Sequence, residues 1–181
     1  MIALGCVTGR FQPVHRQHLE LFAIALDTCA HLVVAVTNPD PAARRSEPSA
    51  AHRHTADANP FTYFERARLL AAALDDRGFG PRTTVVPFDL TRPALWPHYV
   101  PPDAHHYIRA YSAWEREKAA ALTASGYAVT LIEGDPAQRV SAAVIRESLR
   151  AGDARWREIV APGTAPLLDA FLAAEPMAQR G

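Results

Sequence analysis

The sequence predicts an α/β fold built on a doubly wound parallel sheet of about five strands. Short runs rich in Val and Ile alternate along the whole chain with segments of helical period. Most of these segments are separated by turns marked with Pro, Gly, Asn or Asp. Two histidines also stand where the first strand turns into the first helix, so the carboxyl rim of the sheet is the place to look for chemistry.

The elements follow in order. Residues 2–7 are an apolar run and read as a buried strand. Leu19, Phe22, Ala23, Leu26 and Ala30 recur at helical spacing and predict a helix over 19–30. Residues 32–37 form the second strand, ended by Asn38-Pro39-Asp40-Pro41. No hydrophobic period is visible over 42–59, which holds Arg44, Arg45, His52, Arg53 and His54. Structureless loops of that length commonly serve as lids or binding loops.

Thr62 and Glu65 make a capping box for a helix through Leu69, Leu70, Ala73 and Leu74, closed by Gly78. Residues 83–88 are the third strand. Residues 93–97 are a proline-bounded segment of one helical turn, and 105–110 are the fourth strand. Ser112 and Glu115 cap a helix to about Thr123, with Gly126 beyond it. Residues 128–133 are the fifth strand, 141–150 a helix stopped by Gly152, and 164–174 a final helix. The chain reads as a single domain over 1–181, with 151–181 as a C-terminal helical extension.

Composition excludes several classes. The 19 basic and 19 acidic residues cancel, which gives no support to nucleic-acid or membrane-surface binding driven by global charge. Cys6 and Cys29 lie in apolar segments without metal-ligand spacing and read as buried free thiols. No signal-like or membrane-length run is visible, so the cytoplasm is the expected location.

The most informative stretch is Gly9-Arg10-Phe11-Gln12-Pro13-Val14-His15-Arg16-Gln17-His18. A helix start offers unpaired backbone N–H groups and the positive end of the dipole. Two imidazoles and an arginine beside it suit stabilisation of a phosphorane-like transition state.

Gly-Arg-Phe-Gln-Pro followed by His-x-x-His resembles the signature of the HxGH nucleotidylyltransferases, a Rossmann-like family. The resemblance is closest to the archaeal-type nicotinamide mononucleotide (NMN) adenylyltransferases. Gln17 stands where that family has Gly. Residues 140–146, Val-Ser-Ala-Ala-Val-Ile-Arg, resemble its second signature, I/V-S-x-x-x-I-R at a helix start. Residues 59–66 resemble its N/D-P-F-T-x-x-E-R string, whose content is mainly structural, although Arg66 could reach the rim.

The resemblance implies that His15 and His18 hold the reacting phosphates and that Arg10 binds substrate phosphate. It implies Gly9, Phe11, Ser141 and Arg146 as nucleotide-binding residues, with Ser141 and Arg146 at the β- and γ-phosphates. It also implies a stacking role for Trp96 against the acceptor. Read without the resemblance, Trp96 is an apolar clamp between Pro93 and Pro97.

The departures fall at the acceptor side. Thr37 to Pro41 replace a Gly-Ser-Ala string, and the following loop is longer than the family's. Ala58 stands near a usual arginine, for which Arg53 is a substitute. Ser112-Ala113-Trp114 replace Ser-Gly-Asn. The phosphate machinery is kept and the recognition surface is rewritten.

The expectation is a nucleotidylyltransferase that moves NMP from an NTP, CTP or ATP, to a small phosphate- or phosphonate-bearing acceptor and releases pyrophosphate. A phosphonate cytidylyltransferase of natural-product biosynthesis is the favoured member. Asn38, Arg44, Arg45, Arg53, Trp96 and Trp114 are the expected acceptor contacts. Mg2+ would arrive with the NTP, with no dedicated protein metal site. A homo-oligomer is compatible with the sequence. The alternatives are an NMN adenylyltransferase making NAD from NMN and ATP and, more remotely, a non-catalytic nucleotide sensor.

Overall fold

A computed structural model describes residues 1–46 and 53–180. It contains a five-stranded sheet of order β3-β2-β1-β4-β5 in which every neighbouring pair is parallel. The strands are β1 (Ile2–Gly9), β2 (Cys29–Thr37), β3 (Thr83–Phe88), β4 (His105–Ala110) and β5 (Ala128–Glu133). The helices are α1 (Arg16–Leu26), α2 (Tyr63–Asp76), α3 (Ala113–Ala124), α4 (Ala142–Ala151) and α5 (Thr164–Ala174). The expected bounds of the third, fourth and fifth strands and of the last helix match the structure.

The first helix is a correction. It ends at Leu26 rather than Ala30, because Cys29 pairs in register with Ile2 and starts β2. Ala30 has helical spacing from Leu26 but lies in the sheet.

Strand alternation builds two cores. Leu32, Val34 and Val36 of β2 join Phe22, Leu69 and Ile145 on one face, under α1, α2, α4 and α5. Val33 and Ala35 join Phe88, Trp96, Ile108 and Leu122 on the other, under α3 and the 3-10 turn Pro93–His98. The residues after Ala151 complete the first core through Trp156, Val160, Leu168 and Met177. Near the end of the chain, Arg180 pairs with Glu65 of α2 at 2.8 Å.

This winding positions the site. The chain leaves β1 toward one face and β4 toward the other, although these strands are neighbours. Their carboxyl ends therefore open a crevice at the topological switch point. The rim is held from below by Arg66, which is 1% exposed. Its guanidinium donates to the carbonyls of Arg10 (2.9 Å), Thr37 (2.8 Å) and Asn38 (2.8 Å), tying the ends of β1 and β2 together. Arg66 thus supports the rim without standing on it. Among the described residues, no helix is long and apolar enough to cross a membrane.

Candidate active site

The turn after β1 is shaped by one close approach. Phe11 takes a left-handed backbone conformation, φ 49°, unusual for a residue with a large side chain. Its ring is 2% exposed and packs edge-on against His18 (4.9 Å between centroids) and Phe22 (5.7 Å). A Cβ at position 9 would lie 2.7 Å from that ring, so the site needs Gly9. The Gln12–Pro13 peptide is cis. The Gln12 side-chain amide exchanges two hydrogen bonds with the Phe61 backbone, at 2.9 and 3.0 Å. That pairing joins the first motif to the Asn59-Pro60-Phe61 turn.

The two histidines form one unit. His15 is the N-cap of α1, and its ring stacks on that of His18 with centroids 3.7 Å apart. The His15 backbone N–H donates to His18 Nδ1 at 3.2 Å. A backbone N–H needs an unprotonated acceptor, so neutral His18 carries its hydrogen on Nε2. Burial, with Arg16 and Arg139 nearby, pushes the His15 imidazole down to about 3. Burial and then His15, Lys118, Arg109 and Arg139 hold His18 well below its ordinary value. Both rings are therefore neutral at pH 7, and His18 offers Nε2–H as a donor.

Around them lies a cleft of about 510 Å³, a size suited to a small-molecule substrate. Arg10, Arg53, Arg109, Lys118, Arg139 and Arg146 border it, and among the described residues Glu115 is the one carboxylate that does. Glu115 pairs with Arg139 at 3.1 Å, and Arg109 pairs with Glu20 at 3.1 Å. The balance is strongly cationic. Burial, then Arg53, Arg146, Arg66 and Arg139, push Arg10 down to about 8. Burial and Arg53 push Lys118 down to about 8. Such a cleft stabilises polyanions, because an anion relieves the repulsion among its walls.

The structure brings most of the expected residues together here. Gly9, Arg10, Phe11, His15, His18, Arg53, Trp114, Ser141 and Arg146 all border the cleft. Ser141 caps α4, its Oγ accepting from the Ala143 N–H at 3.2 Å. Arg146 is buried and donates to the Gln12 carbonyl at 2.9 Å. Arg10 donates to the carbonyls of Arg53 (3.2 Å) and Ala58 (3.1 Å), so it also holds the backbone at those two residues. The Arg53 guanidinium stacks over Trp114, 3.8 Å from the ring centroid. Asn38 and Arg45 border a shallow groove of about 30 Å³ that shares Arg10, Arg53 and Trp114 with the cleft.

Two expected acceptor contacts are corrected. Trp96 is 2% exposed, packed on Phe88 with its Nε1–H donating to the Asp89 carbonyl at 2.8 Å. The Pro93–His98 turn lies over the second core, so the apolar reading of Trp96 prevails. Arg44 donates to the Asn59 carbonyl at 3.4 Å and borders neither cavity. His52 lies outside the described residues.

Three residues that border the cleft were not assigned from sequence. Gln17 accepts from the Val140 N–H (2.7 Å) and the Tyr111 hydroxyl (3.2 Å) and donates to the Gln138 carbonyl (2.6 Å). It joins the start of α1 to the loop that leads into α4. The signal for it was the missing family glycine. Arg139 sits on that loop, its guanidinium 5.2 Å from the Tyr111 ring. Lys118 donates to the Thr8 carbonyl at 3.3 Å. It shares a helix face with Glu115, Ala119 and Leu122, all buried, and that placement was its signal.

Residues 6–148 match the family model described as cytidylyltransferase-like. The chain belongs to the cytidylyltransferase-like family. It is 33% identical over 162 residues to a phosphonoformate cytidylyltransferase of Streptomyces viridochromogenes, covering 89% of this chain and 88% of that protein. It is 32% identical over 97 residues to a nicotinamide-nucleotide adenylyltransferase of Pyrococcus horikoshii, covering 53% of this chain and 46% of that one. Among solved structures, a bifunctional NMN adenylyltransferase/ADP ribose pyrophosphatase from Francisella tularensis, complexed with AMP and a manganese ion, superposes with a TM-score of 0.68. That match has 16% identity and covers 98% of this chain and 51% of the other, and it shows a shared fold. This cytidylyltransferase-like chain is therefore a nucleotidyltransferase, as the residues at 9–18 and 140–146 led us to expect.

Proposed function

We propose that the enzyme transfers a nucleotidyl group, CMP from CTP in the favoured reading, to a compact phosphonate- or phosphate-bearing acceptor. An ionised acceptor oxygen attacks the α-phosphorus and forms the new P–O bond. The bond from the α-phosphorus to the bridging oxygen of the β-phosphate breaks, and pyrophosphate leaves with that electron pair. The attacking oxygen is already anionic, so no strong general base is needed. The protein's work is positioning and charge stabilisation.

The observation that carries the proposal is the paired, neutral histidines facing a cleft ringed by cations. In this reading His18 Nε2–H and the start of α1 stabilise charge on the α-phosphate. Ser141, the start of α4 and Arg146 hold the β- and γ-phosphates. Similarity to a phosphonoformate cytidylyltransferase over most of both chains supports a phosphonate acceptor. A divalent ion, Mg2+ in our reading, enters as part of the nucleotide substrate. Among the described residues no three His, Cys, Asp or Glu side chains converge to hold one.

The acceptor side separates this reading from NAD synthesis. Trp96 is enclosed and offers no face for a nicotinamide ring to stack on, and Trp114 at the cleft is already covered by Arg53. NMN should be at least about tenfold worse in kcat/KM than the best small phosphonate, the effect of one missing recognition contact. Steady-state kinetics with phosphonoformate, 2-hydroxyethylphosphonate and NMN, each with the four NTPs, checks this. NMN with ATP as the best pair would refute it.

A further inference from the structure

We propose that Lys118 is a specificity-determining residue for the acceptor, its ammonium taking a second, non-reacting anionic group on the substrate. The inference deepens the function proposed above and rests on it. The acceptor class becomes a compact molecule with two anionic ends, one phosphonate or phosphate that reacts and one carboxylate or equivalent that does not.

The first support is composition. Lys118 is the only lysine in the sequence, and the other basic residues, 18 of the 19, are arginine. A chain so committed to arginine keeps one lysine, and it borders the cleft. Arginine presents a wide planar fork, whereas lysine presents a compact point charge on a narrow stem. Beside an indole that already carries one guanidinium, a narrow cation takes the least room.

The second support is placement. The histidines and Arg146 come from α1 and α4, on one face of the sheet. Lys118 and Trp114 come from α3, on the other. The Lys118 Nζ lies 5.1 Å from the centroid of the Trp114 ring, and the Arg53 guanidinium lies 3.8 Å from it. Two cations thus meet at one aromatic on the side of the crevice opposite the phosphate motifs.

The third support is charge. The hydrogen bond from Nζ goes to a backbone carbonyl, that of Thr8. The nearest acidic influence is Glu115, whose carboxylate is engaged by the Ser112 N–H and hydroxyl and by Arg139. The Cys6 thiol beneath Lys118 is pushed up by burial and stays neutral. Holding an ammonium in such surroundings is costly unless an anion faces it. The shape and sign of the place therefore select a small anionic group.

The test uses Lys118→Met and Lys118→Arg in the full chain, with phosphonoformate and methylphosphonate as acceptors. Phosphonoformate carries the second anion and methylphosphonate lacks it. Lys118→Met should raise the KM for phosphonoformate by about tenfold or more while leaving the KM for the NTP within about twofold. The preference for phosphonoformate over methylphosphonate should collapse, and Lys118→Arg should recover part of it. Equal losses on both acceptors, or a loss confined to the NTP, would overturn the inference while leaving nucleotidyl transfer intact.

A second measurement does not depend on turnover. Reductive methylation of the single lysine, followed by mass spectrometry, should be slowed by phosphonoformate and unaffected by methylphosphonate. Absence of selective protection would also overturn the assignment. Failure of the wild type to use any phosphonate would instead count against the proposed function.

Discussion

His18→Ala is expected to lower kcat by about 10²–10³, the usual loss for one preorganised donor to a transition state. The KM for the NTP should change much less, because the cations around the cleft remain. The structure also fixes which ring nitrogen of His18 is free to donate. Its Nδ1 is occupied by the His15 N–H, so its donor is Nε2–H. Burial and neighbouring cations hold the ring well below its ordinary value, so it is neutral throughout the physiological range. A neutral donor gives a kcat that does not fall as pH rises from about 6 to 8, where an ordinary histidine would lose its proton. His18→Gln, which keeps an N–H at similar reach, should be several-fold more active than His18→Ala. A normal kcat for the alanine variant would remove His18 from the mechanism. A kcat that falls with a pKa near 6.5 would mean that the protonated ring is the active form.

The largest effect on stability is expected at Arg66. Arg66→Met leaves the Arg10, Thr37 and Asn38 carbonyls without the charged donor that binds all three. Burial, then Arg44, pushes Arg66 down to about 10, so it remains a cation at neutral pH. Buried hydrogen bonds from a charged group contribute about 1.5–3 kcal/mol each, and a total loss of about 3 kcal/mol or more is expected. For a chain of this size that lowers Tm on the order of 6–12 °C. Differential scanning calorimetry reads the change directly. A shift below about 2 °C would show that the rim does not depend on this clamp.

Much of the fold was legible because its strands are short apolar runs bounded by turn residues. Thr83–Phe88 and Ala128–Glu133 are such runs, and His105–Ala110, though it holds two His and an Arg, is bounded in the same way. The capping boxes at Thr62 and Ser112 marked two helix starts for the same local reason. The end of α1 was misplaced because Ala30 continues a helical period while its backbone pairs in the sheet, and pairing is not local. The residues proposed for the phosphates were legible because they come as contiguous motifs at two helix starts.

The proposed acceptor side was less legible because its residues come together across the crevice. Arg44, Arg45 and Arg53 look alike in sequence. Asn38 and Asn59 bond to the Arg53 carbonyl, Arg53 lies over Trp114, and Arg44 instead donates to the Asn59 carbonyl. Trp96 could have faced the rim or the core, and only the packing of Phe88 and Tyr127 decides it. Lys118 and Arg139 lie outside the motifs, Gln17 is a departure inside one, and the contacts of all three are with partners far along the chain.

In the proposed function one cleft joins a nucleotide to a small phosphonate. The most direct measurement is phosphorus NMR of the purified chain with CTP, Mg2+ and phosphonoformate. The expected result is a new phosphonate–phosphate anhydride, with one pyrophosphate released for each molecule formed. Unchanged CTP and phosphonoformate, with NAD produced efficiently from ATP and NMN in a parallel sample, would contradict the account.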